Sequence, residues 1–232
     1  MGYPDIIALP KEIEKILGAR IYKLKYRDDS AEIQKWHRVE HKIPDAHSFF
    51  ELQGVTLDVF DVAQHRGGEI VCDLNYQLGY GLTGSSVGPL GYYDFVLDIG
   101  TLEHCFNIGQ AAINMVGLLK QGGIILHENP FNQGNHGFYN INPTWYADFY
   151  GQEGFELLEL GMIARNCAEA GKQVPGILKT KRFRYMDSEA NMVAIAKRVK
   201  VLPVGYPVQS KYKTLIPAAG VSGEQMKEVA HG

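Results

Sequence analysis

The chain has 232 residues, the length of one globular domain with short additions, and 45% of them are hydrophobic. This composition excludes a largely disordered or low-complexity chain. The chain carries 23 basic and 26 acidic residues, so it lacks the basic excess that a large nucleic-acid footprint requires.

The sequence predicts a cytoplasmic protein. Residues 1–6 show neither the basic region nor the apolar run of a secretory signal. No apolar run approaches the roughly 18 residues that cross a bilayer, so no membrane segment is expected. The three cysteines, Cys72, Cys105 and Cys167, are widely spaced and odd in number, which is typical of reduced thiols.

The first part of the chain predicts a helical cap segment over residues 1–54. Residues 10–18 have a helical pattern that Gly18 ends. Residues 19–26 alternate apolar and polar side chains and predict a strand. Residues 30–40 predict a second helix, with Ser30 as its N-cap.

From residue 55 short apolar strands alternate with helices. Helices are predicted over 107–120 and over 143–152, the second capped by Asn142. The predicted strands cover residues 55–61, 69–73, 94–98, 123–127, 157–164 and 191–199. This alternation predicts an α/β domain over 55–200 with an open, doubly wound, mostly parallel sheet. Residues 201–232 are rich in proline and predict an extended C-terminal tail.

Polar residues follow four of these strands: Asp61, Asp73, Asp98 and His127. Ligands of open α/β sheets bind at the carboxyl ends of the strands. These side chains therefore predict either a ligand site or a set of turn and helix caps. Residues 79–84, GYGLTG, match a dinucleotide-binding pattern, but no helix can begin there, so we interpret them as a loop.

Residues 93–104 read YDFVLDIGTLEH, and a predicted helix ending in LLKQGG follows. This segment resembles the class I S-adenosylmethionine-dependent methyltransferases of the small-molecule and glycan-cluster type. In that family the fourth strand commonly reads YDxVxxxxxLEH and the fifth is preceded by LLKPGG; here Gln121 replaces the proline. The resemblance extends over residues 55–199 and implies a Rossmann-like methyltransferase fold.

The resemblance also implies roles for individual residues. Asp61 would accept the ribose hydroxyls of S-adenosylmethionine, and Asp73 the adenine amino group, with Leu74 against the ring. Asp98 and Gly100 would border the methionine part of the cofactor. The family binds this cofactor on a glycine-rich loop before the residue that corresponds to Asp61, whereas residues 19–53 contain no glycine. The N-terminal part of the fold is therefore expected to be incomplete.

Two histidines are the candidate catalytic residues. His104 begins the segment after the strand at 94–98, where it would act as a base or position the acceptor. His136 lies in the amide-rich loop after the next strand, where Asn129, Tyr139 and Asn140 are candidate substrate-binding residues. The same residues fit equally well a packed loop whose amide side chains hydrogen-bond to its own backbone.

No metal site is predicted. The group His127, Glu128 and His136 lacks a known ligand spacing. His37 and His41 are four residues apart on a predicted helix, but no acidic residue is placed between them as a metalloprotease requires. A G-x-S-x-G nucleophile motif is also missing from the sequence.

The sequence therefore predicts methyl transfer from S-adenosylmethionine to a small polar metabolite or sugar. Two alternatives stay open: a methyltransferase-like binding or assembly module without cofactor, and a pocket with other chemistry. The expected partner is a small-molecule substrate rather than nucleic acid or a membrane. The sequence leaves a homo-oligomer or a protein partner open.

Overall fold

The computed structural model describes residues 1–78, 91–164 and 189–213. Its α-helices are α1 (Pro10–Leu17), α2 (Ser30–His37), α3 (Ala46–Glu51), α4 (Ile108–Leu118), α5 (Pro143–Phe149) and α6 (Ser210–Lys213). Its strands are β1 (Phe60–Asp61), β2 (Ile70–Val71), β3 (Tyr93–Ile99), β4 (Leu119–Pro130), β5 (Phe155–Ala164) and β6 (Ala190–Arg198). The GYGLTG segment, Cys167 and the end of the predicted tail lie outside the described residues.

The strands form two sheets, and the fold is mixed α/β as predicted. β1 and β2 make a two-stranded parallel sheet, and the other four strands are ordered β3-β4-β6-β5. β3 and β4 are parallel, whereas β6 is antiparallel to both of its neighbours. The larger sheet is thus mixed rather than mostly parallel, because β6 inserts between β4 and β5. The apolar composition of a strand indicates that it is buried but not its direction or its neighbours, so the position of β6 could not be predicted from the sequence.

The first two residues lie between the two sheets. The Met1 ammonium donates to Leu97 O of β3 at 2.5 Å, and Gly2 N donates to Phe60 O of β1 at 2.8 Å. Burial lowers the pKa of the Met1 ammonium. Residues 1–2 therefore connect β1 and β3 close to their carboxyl ends.

Helix α4 lies within the predicted helix 107–120. Asn107 caps it, since its side chain accepts a hydrogen bond from Gln110 N at 3.3 Å. Its buried face comprises Ala111, Ala112, Asn114, Met115, Val116 and Leu118. At its C-terminal end, the buried Arg198 of β6 donates to Val116 O at 2.9 Å and Leu119 O at 2.8 Å. This contact satisfies carbonyls that the helix leaves unpaired.

The N-terminal part departs most from the sequence prediction. Residues predicted as a strand over 19–26 instead include a 3-10 helix, Gly18–Lys23, which ends with a hydrogen bond from Leu24 N to Ile21 O at 3.0 Å. Helix α3 was not predicted, although Asp45 caps it by accepting from Ser48 N at 2.8 Å. The predicted strands 55–61 and 69–73 shrink to two residues each. A small core of its own holds this part together: Ile13, Leu17, Leu24 and Phe49.

The described helices are short. The longest, α4, has 11 residues, and none of those in the described ranges combines the length and apolar character that crossing a bilayer demands.

Candidate active site

A buried polar network lies at the carboxyl ends of β3 and β4. Asp98 and His127 are register partners on these strands, and both side chains are fully buried. His127 Nδ1 lies 2.6 Å from Asp98 Oδ2, and His127 Nε2 lies 2.5 Å from the Tyr150 hydroxyl. Asn129 Nδ2 donates to Asp98 Oδ2 at 3.1 Å, and the Tyr146 hydroxyl donates to Asn129 Oδ1 at 2.5 Å. The network connects both strands with helix α5.

Asp98 is ionised at the centre of this network. Burial by itself raises the pKa of its carboxyl group, but the hydrogen bond and charge of His127 outweigh burial and hold that pKa below its usual range. Burial and, to a smaller extent, the negative charge of Asp98 raise the pKa values of Tyr146 and Tyr150 far above normal, so both hydroxyls stay protonated.

Asp98 also shapes the turn that follows β3. Its Oδ1 accepts hydrogen bonds from Thr101 N at 3.2 Å and Leu102 N at 3.0 Å, which starts the 3-10 turn Leu102–His104. The side chain was predicted to border a cofactor, but here it is enclosed by protein donors. Asp98 therefore positions the turn, and its place beside the methionine part of a cofactor stays a prediction.

That turn brings the two predicted catalytic histidines together. The rings of His104 and His136 are in edge contact, with centroids 5.2 Å apart. Between them lies Glu103, whose Oε1 is 3.7 Å from His104 Nε2 and 3.4 Å from His136 Nε2. The Glu103 side chain is fully buried, whereas those of His104 and His136 are 52% and 45% exposed. The structure thus places one buried carboxylate under two accessible imidazoles.

Backbone contacts hold the two loops together. Phe138 N donates to Glu103 O at 2.8 Å, and the Tyr139 hydroxyl donates to Phe106 O at 2.8 Å. Gly137 makes the approach feasible, because it adopts φ +67° and leaves room for Glu103. The position of His136 beside Glu103 is therefore fixed by the fold.

Replacing Gly137 by alanine is expected to lower the free energy of unfolding by about 2–3 kcal/mol. A Cβ there would lie 2.9 Å from both Glu103 Cγ and Glu103 O, at a φ that alanine adopts only with strain. Gly134→Ala in the same loop is the matched control, because its Cβ would meet no atom within 4 Å. Urea denaturation compares the two; equal midpoints would show that the contact is not tight.

The environment of Glu103 favours its neutral form. Burial and the nearby charge of Asp98 raise the pKa of its carboxyl group, although its hydrogen bonds and His104 act in the opposite direction. An ionised Glu103 therefore costs stability near neutral pH. Asn129 Nδ2 donates to Glu103 Oε2 at 3.0 Å and fixes the orientation of the carboxylate.

Glu103→Gln is accordingly expected to raise the free energy of unfolding by about 1 kcal/mol at pH 7 in metal-free buffer, because it removes a poorly solvated charge. The raised folded-state pKa means that the wild type gains stability as pH falls from that pKa towards the unfolded value of about 4.3. The difference between the two proteins should therefore vanish near pH 4. Chemical denaturation at both pH values tests this, and a destabilised variant at pH 7 would contradict it.

The predicted cofactor residues occupy strand ends, as the sequence indicated. Asp61 ends β1, and its Oδ1 accepts from Val62 N at 2.7 Å. Asp73 lies just beyond β2, and its Oδ1 accepts from Asn75 N at 2.9 Å. Leu74 is buried in the main core, and Gly100 adopts φ +72° in the turn after β3. Both carboxylates thus make the local turn contacts that the alternative interpretation requires, which leaves their ligand role a prediction.

The predicted substrate residues are mostly engaged within the protein. Asn129 is completely buried in the polar network. Asn140 Oδ1 accepts from Gln133 N at 2.7 Å, and Tyr139 binds the neighbouring loop. Asn129 is therefore inaccessible to a substrate, whereas Tyr139 is half-buried and Asn140 is exposed, so a substrate-binding role stays a prediction for these two.

The sequence predicts a metal site at neither of its two other histidine groupings. His127 faces the buried network, whereas the adjacent Glu128 accepts from Asn191 Nδ2 at 2.9 Å. Helix α2 ends at His37, so His41 is not on its surface. Sequence reasoning instead missed Glu103, Tyr146 and Tyr150. The one available signal was the adjacency of Glu103 to His104, but an acidic residue at this place is typical of a first helical turn.

Comparison of the sequence with protein-family models, and with curated proteins, returns no match. The function must therefore be argued from the site.

Proposed function

We propose that this protein transfers the methyl group of S-adenosylmethionine to a small polar acceptor bound at His104 and His136. The observation that carries the proposal is the juxtaposition of these two exposed histidines over a buried carboxylate, in the turn that ends the methyltransferase-like segment. Methyl transfer needs proximity, alignment and, for a hydroxyl or ammonium acceptor, a group that removes a proton. Two imidazoles suit that task near neutral pH.

The proposal includes a Rossmann-like, doubly wound arrangement of the two sheets. It is supported by residues 1–2, which hydrogen-bond to Phe60 O of β1 and to Leu97 O of β3. In open α/β folds, ligands bind at the carboxyl ends of strands. Asp61 and Gly100 lie on either side of this connection and would contact the cofactor.

The reaction itself is a displacement at carbon. A lone pair of the acceptor atom attacks the methyl carbon, and the carbon–sulfur bond breaks with its electrons passing to sulfur, which leaves a neutral thioether. The acceptor proton passes to an imidazole nitrogen of His104 or His136 and from there to solvent. His104 and His136 thus act as proton acceptors or as groups that position the acceptor.

Two exposed aromatic rings indicate the kind of acceptor. Phe106 and Phe138 are 70% and 63% exposed, and their centroids lie 5.5 Å apart. Each follows one of the two histidines by two residues in the chain, and the two phenylalanine rings contact each other as the two imidazoles do. A ring that has hydroxyl groups on its edge and an apolar face matches this surface, as a sugar does.

One observation favours a different function. Residues 19–53 lack glycine and fold into short helices with their own core, where the methyltransferase family has a cofactor loop. A binding or assembly module without cofactor would fit this arrangement.

Thermal unfolding with and without S-adenosylmethionine, or its demethylated product, separates the two functions. Cofactor at 100 times its Kd should add about 2.7 kcal/mol, equivalent to roughly 5–10 °C for a domain of this size. Asp61→Ala should abolish the shift, whereas Asp94→Ala, which removes an exposed carboxylate paired with Lys120, should retain it. The absence of a shift at millimolar cofactor would refute methyl transfer and favour the binding module.

A further inference from the structure

We propose that Glu103, His104 and His136 form a binding site for a divalent transition-metal ion such as Zn²⁺. These three residues, here called the Glu-His-His cluster, each offer one donor atom, and the three atoms lie within 4.8 Å of one another. Two imidazole nitrogens and one carboxylate oxygen are a ligand set that catalytic zinc sites use. The inference goes beyond methyl transfer and does not depend on it.

The distances match those of a metal site before the ion binds. Zinc bonds to histidine nitrogen and carboxylate oxygen are about 2.0–2.2 Å long, which separates two ligands of a tetrahedral ion by roughly 3.3–3.6 Å. Glu103 Oε1 lies 3.4 Å from His136 Nε2 and 3.7 Å from His104 Nε2. Rotations of the two half-exposed histidine side chains suffice to bring all three donors to one ion.

The buried carboxylate supplies an independent observation. Glu103 Oε1 is inaccessible to solvent and accepts no hydrogen bond from the residues that the structure describes, although its partner oxygen is bonded to Asn129. A buried carboxylate oxygen is normally hydrogen-bonded, ion-paired or metal-bound. The unpartnered atom points at the two imidazole nitrogens, so an ion between them would satisfy it.

The surroundings fix this arrangement. Asn129 orients the Glu103 carboxylate, and Tyr146 in turn orients Asn129. Such outer contacts of metal ligands set their geometry and strengthen binding. The hydrogen bond from Phe138 N to Glu103 O fixes the loop that carries His136. Three ligands also leave a fourth position on the exposed side, where water or an acceptor oxygen can bind.

Isothermal titration calorimetry with Zn²⁺ alone, in buffer free of cofactor and acceptor, tests the proposal. We expect one equivalent of Zn²⁺ to bind, and visible absorption of the Co²⁺-loaded protein to show the strong bands of tetrahedral coordination. His136→Ala and Glu103→Gln should each weaken Zn²⁺ binding by at least about 100-fold, because each removes one of three ligands.

His37→Ala is the matched control. His37 also lies beside a carboxylate, 3.1 Å from Asp5 Oδ2, so it reports adventitious binding at a surface pair. Its affinity for Zn²⁺ should equal that of the wild type. Circular dichroism verifies that each variant folds, and Glu103→Gln is expected to be at least as stable as the wild type without metal.

Two results would overturn the proposal: no saturable binding of Zn²⁺ by the wild type at millimolar concentration, or unchanged affinity in both cluster variants. Neither involves S-adenosylmethionine, so failure here is distinguishable from failure of the methyl-transfer proposal. Conversely, a protein that binds Zn²⁺ through the cluster but shows no thermal shift with cofactor would retain the metal site and lose the methyltransferase function.

Discussion

Asp98→Ala is expected to lower the free energy of unfolding by about 3–5 kcal/mol at neutral pH, because each buried donor left without an acceptor costs about 1–3 kcal/mol. The fully buried carboxylate accepts from two backbone amides, Thr101 N and Leu102 N, and from the side chains of His127 and Asn129. Alanine would leave these donors in the interior without an acceptor. Urea denaturation followed by circular dichroism measures the loss.

Asp94→Ala is its control on the same strand. Asp94 is exposed and pairs only with the exposed Lys120, so its loss should change the free energy of unfolding by less than about 1 kcal/mol. Equal effects of the two substitutions would show that the polar network adds no stability of its own.

The same carboxylate predicts a dependence on pH. Because the folded-state pKa of Asp98 is depressed, its stabilising contribution is complete above the unfolded pKa of about 3.9. That contribution is lost as pH falls through the folded-state pKa. The wild type should therefore lose stability in acid more steeply than Asp98→Ala, so the two unfolding curves converge at low pH.

His104→Ala is expected to reduce methyl transfer by about 10²–10⁴-fold in kcat, the usual contribution of a positioned acid–base group. Affinity for S-adenosylmethionine should be almost unchanged, because the side chain lies on the acceptor side of the proposed site. The demethylated cofactor formed per unit time is the readout, measured with an acceptor found by screening sugars and small polar metabolites.

His37→Ala should retain full turnover, since His37 lies on α2 and contacts Asp5 rather than the proposed site. Full activity of His104→Ala would remove this residue from the mechanism and leave His136 to be tested alone.

Local signals predicted the elements that carry the site. Helix α4 shows its apolar spacing in the sequence, and its bounds agree with the predicted 107–120 to within two residues. Strand β3 likewise shows a short apolar run. The rule that ligands meet at the carboxyl ends of parallel strands identified the regions of His104 and His136, although the two are distant in the chain.

The contacts between elements could not be predicted from the sequence in the same way. Glu103 looks like an ordinary acidic residue of a first helical turn, and only the loop after β4 buries it by covering it with Gly137. In the sequence, Tyr146 and Tyr150 are typical of core aromatics in and just after α5. In the structure, β4 places Asn129 and His127 beside their hydroxyls. These properties depend on which strands are neighbours, and periodicity does not encode neighbours.

The two hydrogen bonds that tie the loop after β4 to the turn after β3 have a thermodynamic consequence for any ligand of the site. Ordering two loops at the moment of binding costs conformational entropy and lowers affinity. Here the entropy of ordering the two loops is lost when the chain folds, so an ion or acceptor requires only rotations of the histidine side chains. Association should then proceed without a slow closing step, and the measured rate constant should rise linearly with ligand concentration.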